Sequence, residues 1–112
     1  MSRVILTRAA QRDLERLRKF LHDKNPQASR RAAQAIKDGV KRIAMQPEGH
    51  RPIPDIPYHR ELVIDFGSRG YIARYYYQPG GDILILRIKH QLEDELPEIP
   101  TTRLNDRSGY GV

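Results

Sequence analysis

No cysteine occurs among the 112 residues of the chain. That absence excludes a disulfide framework and any chemistry that needs a thiolate. Long apolar runs are also missing, so the sequence offers no membrane span. Nor does the start carry the apolar centre of a signal peptide, because Arg8 and Arg12 follow Val4-Ile5-Leu6 too closely. Together these absences predict a cytoplasmic protein. Metal-ligand spacing is lacking as well: His22, His50, His59 and His90 fall in different segments, with no His-Glu-x-x-His. Gly67…Gly70 and Gly80-Gly81 read as turn glycines and not as a phosphate loop, since no helix begins after them. No metal and no cofactor are expected.

Acidic residues are scarce in the first half. Through Gln46 there are 12 Lys/Arg against 4 Asp/Glu, whereas from Pro47 onward there are 8 against 10. The overall charge of +6 is therefore carried by the N-terminal part. Such a segment suits DNA, RNA or an acidic protein partner, and equally the solvated faces of long helices. The length fits one small domain with a modest core.

Arg3-Val4-Ile5-Leu6 reads as a short first strand, and Thr7 as the N-cap of a helix. Ala10, Leu14, Leu17 and Leu21 follow at helical spacing, opposite Arg12, Arg16 and Lys19, which predicts a helix from Arg8 to about His22. Asn25-Pro26 caps and opens a second helix, whose stripe of Ala28, Ala32, Ile36, Val40 and Ile43 ends near Met45. So short a connection makes the two helices an antiparallel hairpin. The proline-rich stretch from Pro47 to Pro57 is an ordered loop or extended segment. The period then becomes two, giving strands near Glu61–Phe66, Gly70–Tyr77 and Asp82–His90 in an antiparallel meander. The fold class is α+β in the order β-α-α-β-β-β, with the hairpin on one face of a small, mostly antiparallel twisted sheet. One domain spans residues 1–96, and residues 97–112 form a tail that a partner would order.

Alternation sorts the strand residues by face. The expected helix-side set is Leu62, Ile64, Phe66, Leu84, Leu86 and Ile88; the middle strand is ambiguous by pattern alone and is taken with Tyr71, Ala73 and Tyr75 on that side. The open face would then show Val63, Ile72, Ile83 and Ile85, surrounded by Arg74, Arg87, Lys89, Glu61 and Asp65, with Tyr76 on the same side. Apolar side chains inside a polar ring suit a protein-binding site, unless the tail or a loop folds over them.

The runs RELVIDFGSRGYIARYYY (60–77) and DILILRIKHQLED (82–94), with the opening ILTRAAQRDLERLRKFL, resemble the RelE/ParE superfamily of toxins from bacterial type II toxin–antitoxin systems. The resemblance covers roughly residues 3 to 96. It implies a toxin of a plasmid-stabilisation (addiction) module, neutralised by a cognate antitoxin, for which the expected open face offers Val63, Ile72, Arg74, Tyr76, Ile83, Ile85, Arg87 and Lys89. RelE-type members cut messenger RNA on the ribosome, and ParE-type members inhibit DNA gyrase. The long helical hairpin places this chain nearer the ParE type.

Metal-free RNA cleavage needs a base, an acid and cations around the phosphorane. Where RelE-like nucleases carry lysines and arginines, the corresponding positions here are Val63, Asp65, Ile72 and Leu92, and the catalytic tyrosine position falls near Glu98. Asp65 reverses the sign and would repel phosphate. The set remaining to a nuclease is Arg74, Arg87 and His90 with Glu61. His90 is expected to point away from Arg87, as a structural strand-end residue. Gyrase inhibition is thus the leading expectation; ribosome-dependent RNA cleavage is the alternative, and an inactive toxin that only binds its antitoxin is a third.

Overall fold

Thr7 is the residue that turns a strand into a helix. Strand β1 (Val4–Leu6) ends there, and the Thr7 hydroxyl accepts the Ala10 N–H at 3.2 Å to cap helix α1 (Arg8–Lys24). The same hydroxyl donates to the Ile85 carbonyl at 2.8 Å, so the cap is tied to the sheet as well as to the helix. In this computed structural model, which describes residues 2–95, α1 is separated from α2 (Pro26–Met45) by Asn25 alone. The Asn25 side chain accepts the Gln27 and Ala28 N–H groups at 3.1 and 3.2 Å, and Pro26 occupies the first helical position, where no amide is needed. Both caps are where the sequence predicts them. The helices fold back as a hairpin, and the Ser29 hydroxyl reaches the Arg18 carbonyl at 3.3 Å.

The loop after α2 contributes a two-residue strand, β2 (Arg51–Pro52). The meander follows as β3 (His59–Phe66), β4 (Arg69–Tyr77) and β5 (Ile83–His90), and one further helical turn, α3 (Gln91–Glu95), ends the described chain. The sheet order is β1-β5-β4-β3-β2; β1 lies parallel to β5, and the other pairings are antiparallel. The predicted tail (97–112), Glu98 included, lies outside the described residues.

The hairpin covers one face of the sheet. Its stripe of Ala10, Leu17, Ala32, Ile36 and Ile43 packs on Ile64, Tyr71, Ala73, Tyr75 and Ile88. Gly39 marks the closest approach. A β-carbon there would lie 2.5 Å from Ile64 Cδ1, so glycine lets α2 settle directly onto β3. The Tyr75 hydroxyl, on the core side of β4, donates to the Pro47 carbonyl at 2.7 Å, and burial raises its pKa to about 12.

One expectation about the faces is overturned. Ile83 and Ile85 are 0% exposed and belong to the helix-side core, whereas Leu84 and Leu86 are half-buried and lie outside it. The cause is a register shift: Tyr75 pairs with Ile85 but Arg74 pairs with Arg87, leaving Leu86 as an extra residue. A bulge of this kind inverts the alternation on either side of it. Before the bulge the odd-numbered residues face the helices, and after it Ile88 does.

Candidate functional site: the open face of the sheet

Cross-strand pairing arranges the uncovered face into rows. His59, Tyr76 and Leu84 form one; Arg51, Glu61, Arg74 and Arg87 form the next; Val63, Ile72 and Lys89 form a third, with Asp65 beyond it opposite Gly70. Residues directly opposite one another on one face are in side-chain reach, so each row acts as a unit. The third row contains the apolar centre: Val63 is 36% exposed, and Ile72, flanked by its neighbours, is 8% exposed. Leu84, in the first row, and Leu86 at the bulge add apolar surface on β5, across the charged row from Val63 and Ile72. They take the place expected for Ile83 and Ile85.

The cations of the charged row are matched partly within it and partly from α1. Glu61 lies between two cations, accepting from Arg51 Nη2 and from Arg74 Nε, the latter at 3.2 Å. Its side chain is only 13% exposed, so the contact with Arg74 is partly shielded from water. Arg87 turns over the edge of the sheet to α1. There its Nε and Nη2 donate to the two oxygens of Asp13 at 2.8 and 3.1 Å, a two-point geometry that fixes the guanidinium in one plane.

Asp13 is 3% exposed and serves three donors. Besides Arg87, the Ile88 N–H donates to Oδ2 at 2.8 Å and Arg16 Nη2 to Oδ1 at 3.2 Å. Burial alone would raise its pKa. The hydrogen bonds from Arg87 and Ile88, the charge of Arg87 and the bond from Arg16 outweigh burial and hold the pKa below the ordinary aspartate value. Sequence reasoning missed this residue, though a signal was present. Asp13 is three residues after Ala10 and four before Leu17, which places a carboxylate on the apolar stripe of α1.

His90 stands apart from the arginines. Its ring packs edge-on against Tyr71, a core residue, with centroids 5.5 Å apart. Its Nδ1 accepts the Leu92 N–H at 3.0 Å, and Glu93 Oε1 accepts the His90 N–H at 2.9 Å, closing the turn into α3. Glu93 in turn binds Arg16 at 2.5 Å. Tyr71, beside it, has its pKa raised by burial and by the charge of Glu93. His90 therefore holds the strand end, on the face opposite Arg74. Of the four residues available to a nuclease, Glu61 and Arg74 meet on the open face, Arg87 is drawn to α1, and His90 faces the core. Among the described residues no group of three His, Asp or Glu is placed to hold a metal ion, and no helix is long and apolar enough to cross a membrane.

A helix hairpin on one face of a five-stranded, mostly antiparallel sheet, with the other face left open, defines the α+β class of RelE/ParE toxins. The chain belongs to this family: residues 4–95 match the family described as the ParE toxin of the type II toxin-antitoxin system, parDE. Among curated proteins it is 35% identical over 94 residues to Toxin RelE3 of Caulobacter vibrioides, covering 83% of this chain and 98% of that one. It is 30% identical over 90 residues to Toxin RelE1 of the same organism, covering 80% and 94%. A solved chain from the chromosomal ParDE TA system of P. aeruginosa shares the fold, with a TM-score of 0.67 at 24% identity over 80% of this chain and 96% of that one. The chain is thus a toxin of the type II toxin–antitoxin class.

Proposed function

We propose that this toxin acts in the cytoplasm by binding, not by cutting RNA: a cognate antitoxin silences it through the open sheet face, and DNA gyrase is its target. The observation that carries this reading is the commitment of the cations. Arg74 is engaged by Glu61 and Arg87 by Asp13, while His90 packs on Tyr71 on the other side of the sheet. A scissile phosphate would have to draw both guanidiniums from carboxylates and approach past Asp65, and Glu61, the carboxylate beside Arg74, is itself held by Arg51 and Arg74.

An extended strand or amphipathic helix of the antitoxin suits the same face. Apolar side chains would lie on Val63, Ile72, Leu84 and Leu86, and acidic groups would meet Lys89 and Arg74. In favour of the competing reading, ribosome-dependent RNA cleavage, Arg74 and Arg87 are direct cross-strand partners and so begin side by side.

Production of the chain in cells without antitoxin tests the choice. Gyrase inhibition predicts an SOS response and disturbed chromosome topology while messenger RNA stays intact. Codon-placed RNA cuts that vanish in His90→Ala would establish the nuclease instead. Normal growth would mark a chain that only binds its antitoxin.

A further inference from the structure

The charge of the molecule is divided by layer. The hairpin from Arg8 to Met45 carries eleven Lys/Arg, all exposed, against four Asp/Glu, one of which is the buried Asp13. At 100° per residue, Arg8, Arg12 and Lys19 fall in one row on α1, and Arg30, Lys37 and Lys41 fall in one row on α2. Each row points away from the buried stripe of its helix. None of the six makes an ion pair among the described residues. Glu15, the one acid within the first row, is taken up by Arg18; the second row contains only Gln34 besides its cations.

From these rows we infer that the outer face of the hairpin binds double-stranded DNA through its phosphates, without reading sequence. Each row is about 17 Å long at 1.5 Å per residue, the rise of about five base pairs. Packed helices lie about 8–10 Å apart, close to the roughly 12 Å width of the B-form major groove, so each row can follow one phosphate strand. Six unpaired cations in two lines are the electrostatic footprint of backbone contact. An acidic protein segment is the rival occupant. A groove of about 450 Å³ between the helices has an apolar floor that includes Leu14, Leu21 and Val40, and a rim of Arg18, Lys37 and Lys41. Arg8, Arg12 and Lys19 do not line that groove and would be left unused by its occupant, whereas a duplex engages both rows. The inference is independent of the choice between gyrase and messenger RNA, because it concerns the opposite face of the molecule.

The test is fluorescence anisotropy of the full chain with a labelled 20-base-pair DNA duplex of arbitrary sequence, from 50 to 200 mM salt. Binding should weaken with a slope of log K on log salt near about −5, as expected for six phosphate contacts. The triple variant Arg30→Ala/Lys37→Ala/Lys41→Ala should bind more than tenfold more weakly at 50 mM salt and lose about 2–3 units of slope. These side chains are exposed, so an unchanged thermal midpoint will show that the variant is folded. The inference is overturned by no binding at 50 mM salt, by an unchanged slope in the triple variant, by equal or tighter binding of an RNA duplex, or by displacement of the DNA by poly-glutamate at equal charge concentration.

Discussion

Arg74 and Arg87 stand directly opposite each other on β4 and β5, yet their guanidiniums answer to different carboxylates, Glu61 on the sheet and Asp13 on α1. The bulge at Leu86 lies beside this pair, at the point where the alternation of β5 inverts. One irregularity thus determines which side chains the open face displays. The same region joins helix to sheet, since Asp13 also takes the Ile88 N–H.

Asp13→Ala should cost on the order of 3 kcal/mol, because it strands a buried Ile88 N–H and removes the partner of Arg87. Urea unfolding measures the loss; a cost below about 1 kcal/mol would mean that the tie between α1 and β5 is ornamental.

The depressed pKa of Asp13 also sets an acid limit. A carboxylate whose folded value lies below its unfolded value of about 4 stabilises the fold fully above that pH. The contribution drains away as the pH falls through the lower, folded value. Stability of the natural chain should therefore decline more steeply below pH 4 than that of Asp13→Asn, whose curve is flatter from a lower start. Parallel curves would remove Asp13 from the acid response.

Gly39→Ala should destabilise by about 1–3 kcal/mol through overpacking against Ile64. The contact is with the outer part of that side chain, so the double variant with Ile64→Val should recover part of the loss. Chemical denaturation of the two variants provides the comparison, and full additivity would contradict the contact.

On the open face, Val63→Glu and Leu84→Glu should each weaken antitoxin binding at least tenfold, about 1.4 kcal/mol or more, with the fold retained. Ile85→Glu should instead unfold the domain, because Ile85 lies within the core. Calorimetric titration with circular dichroism separates the two outcomes; unchanged affinity in both surface variants would move the antitoxin elsewhere.

The two hairpin helices were legible in the sequence to within two residues, because Thr7, Asn25 and Pro26 are strong start signals and the apolar stripes have helical spacing, whereas the single turn α3 has too few residues to show a period. Faces were legible for β3, where polar and apolar residues alternate, whereas β4, with Tyr71-Ile72-Ala73 and Tyr75-Tyr76-Tyr77, leaves its phase open by pattern alone. In β5 the run Ile83-Leu84-Ile85-Leu86 is apolar at every position, so period two gives no phase. The bulge that sets the phase has no glycine or proline to announce it. His90 faces away from the arginines, as the sequence predicts, but for a different reason: past the bulge it shares a side with Ile88 and not with Leu84 and Leu86. The partnership of Asp13 and Arg87 spans 74 residues and lay beyond any local pattern.

Supercoiling of relaxed plasmid by purified gyrase, with increasing amounts of the antitoxin-free chain, tests the binding mode of action most directly. Inhibition should rise with toxin concentration, with broken DNA trapped on the enzyme, and should be unchanged in His90→Ala. Gyrase left fully active, beside programmed ribosomes whose messenger RNA is cut by the same preparation, would contradict it.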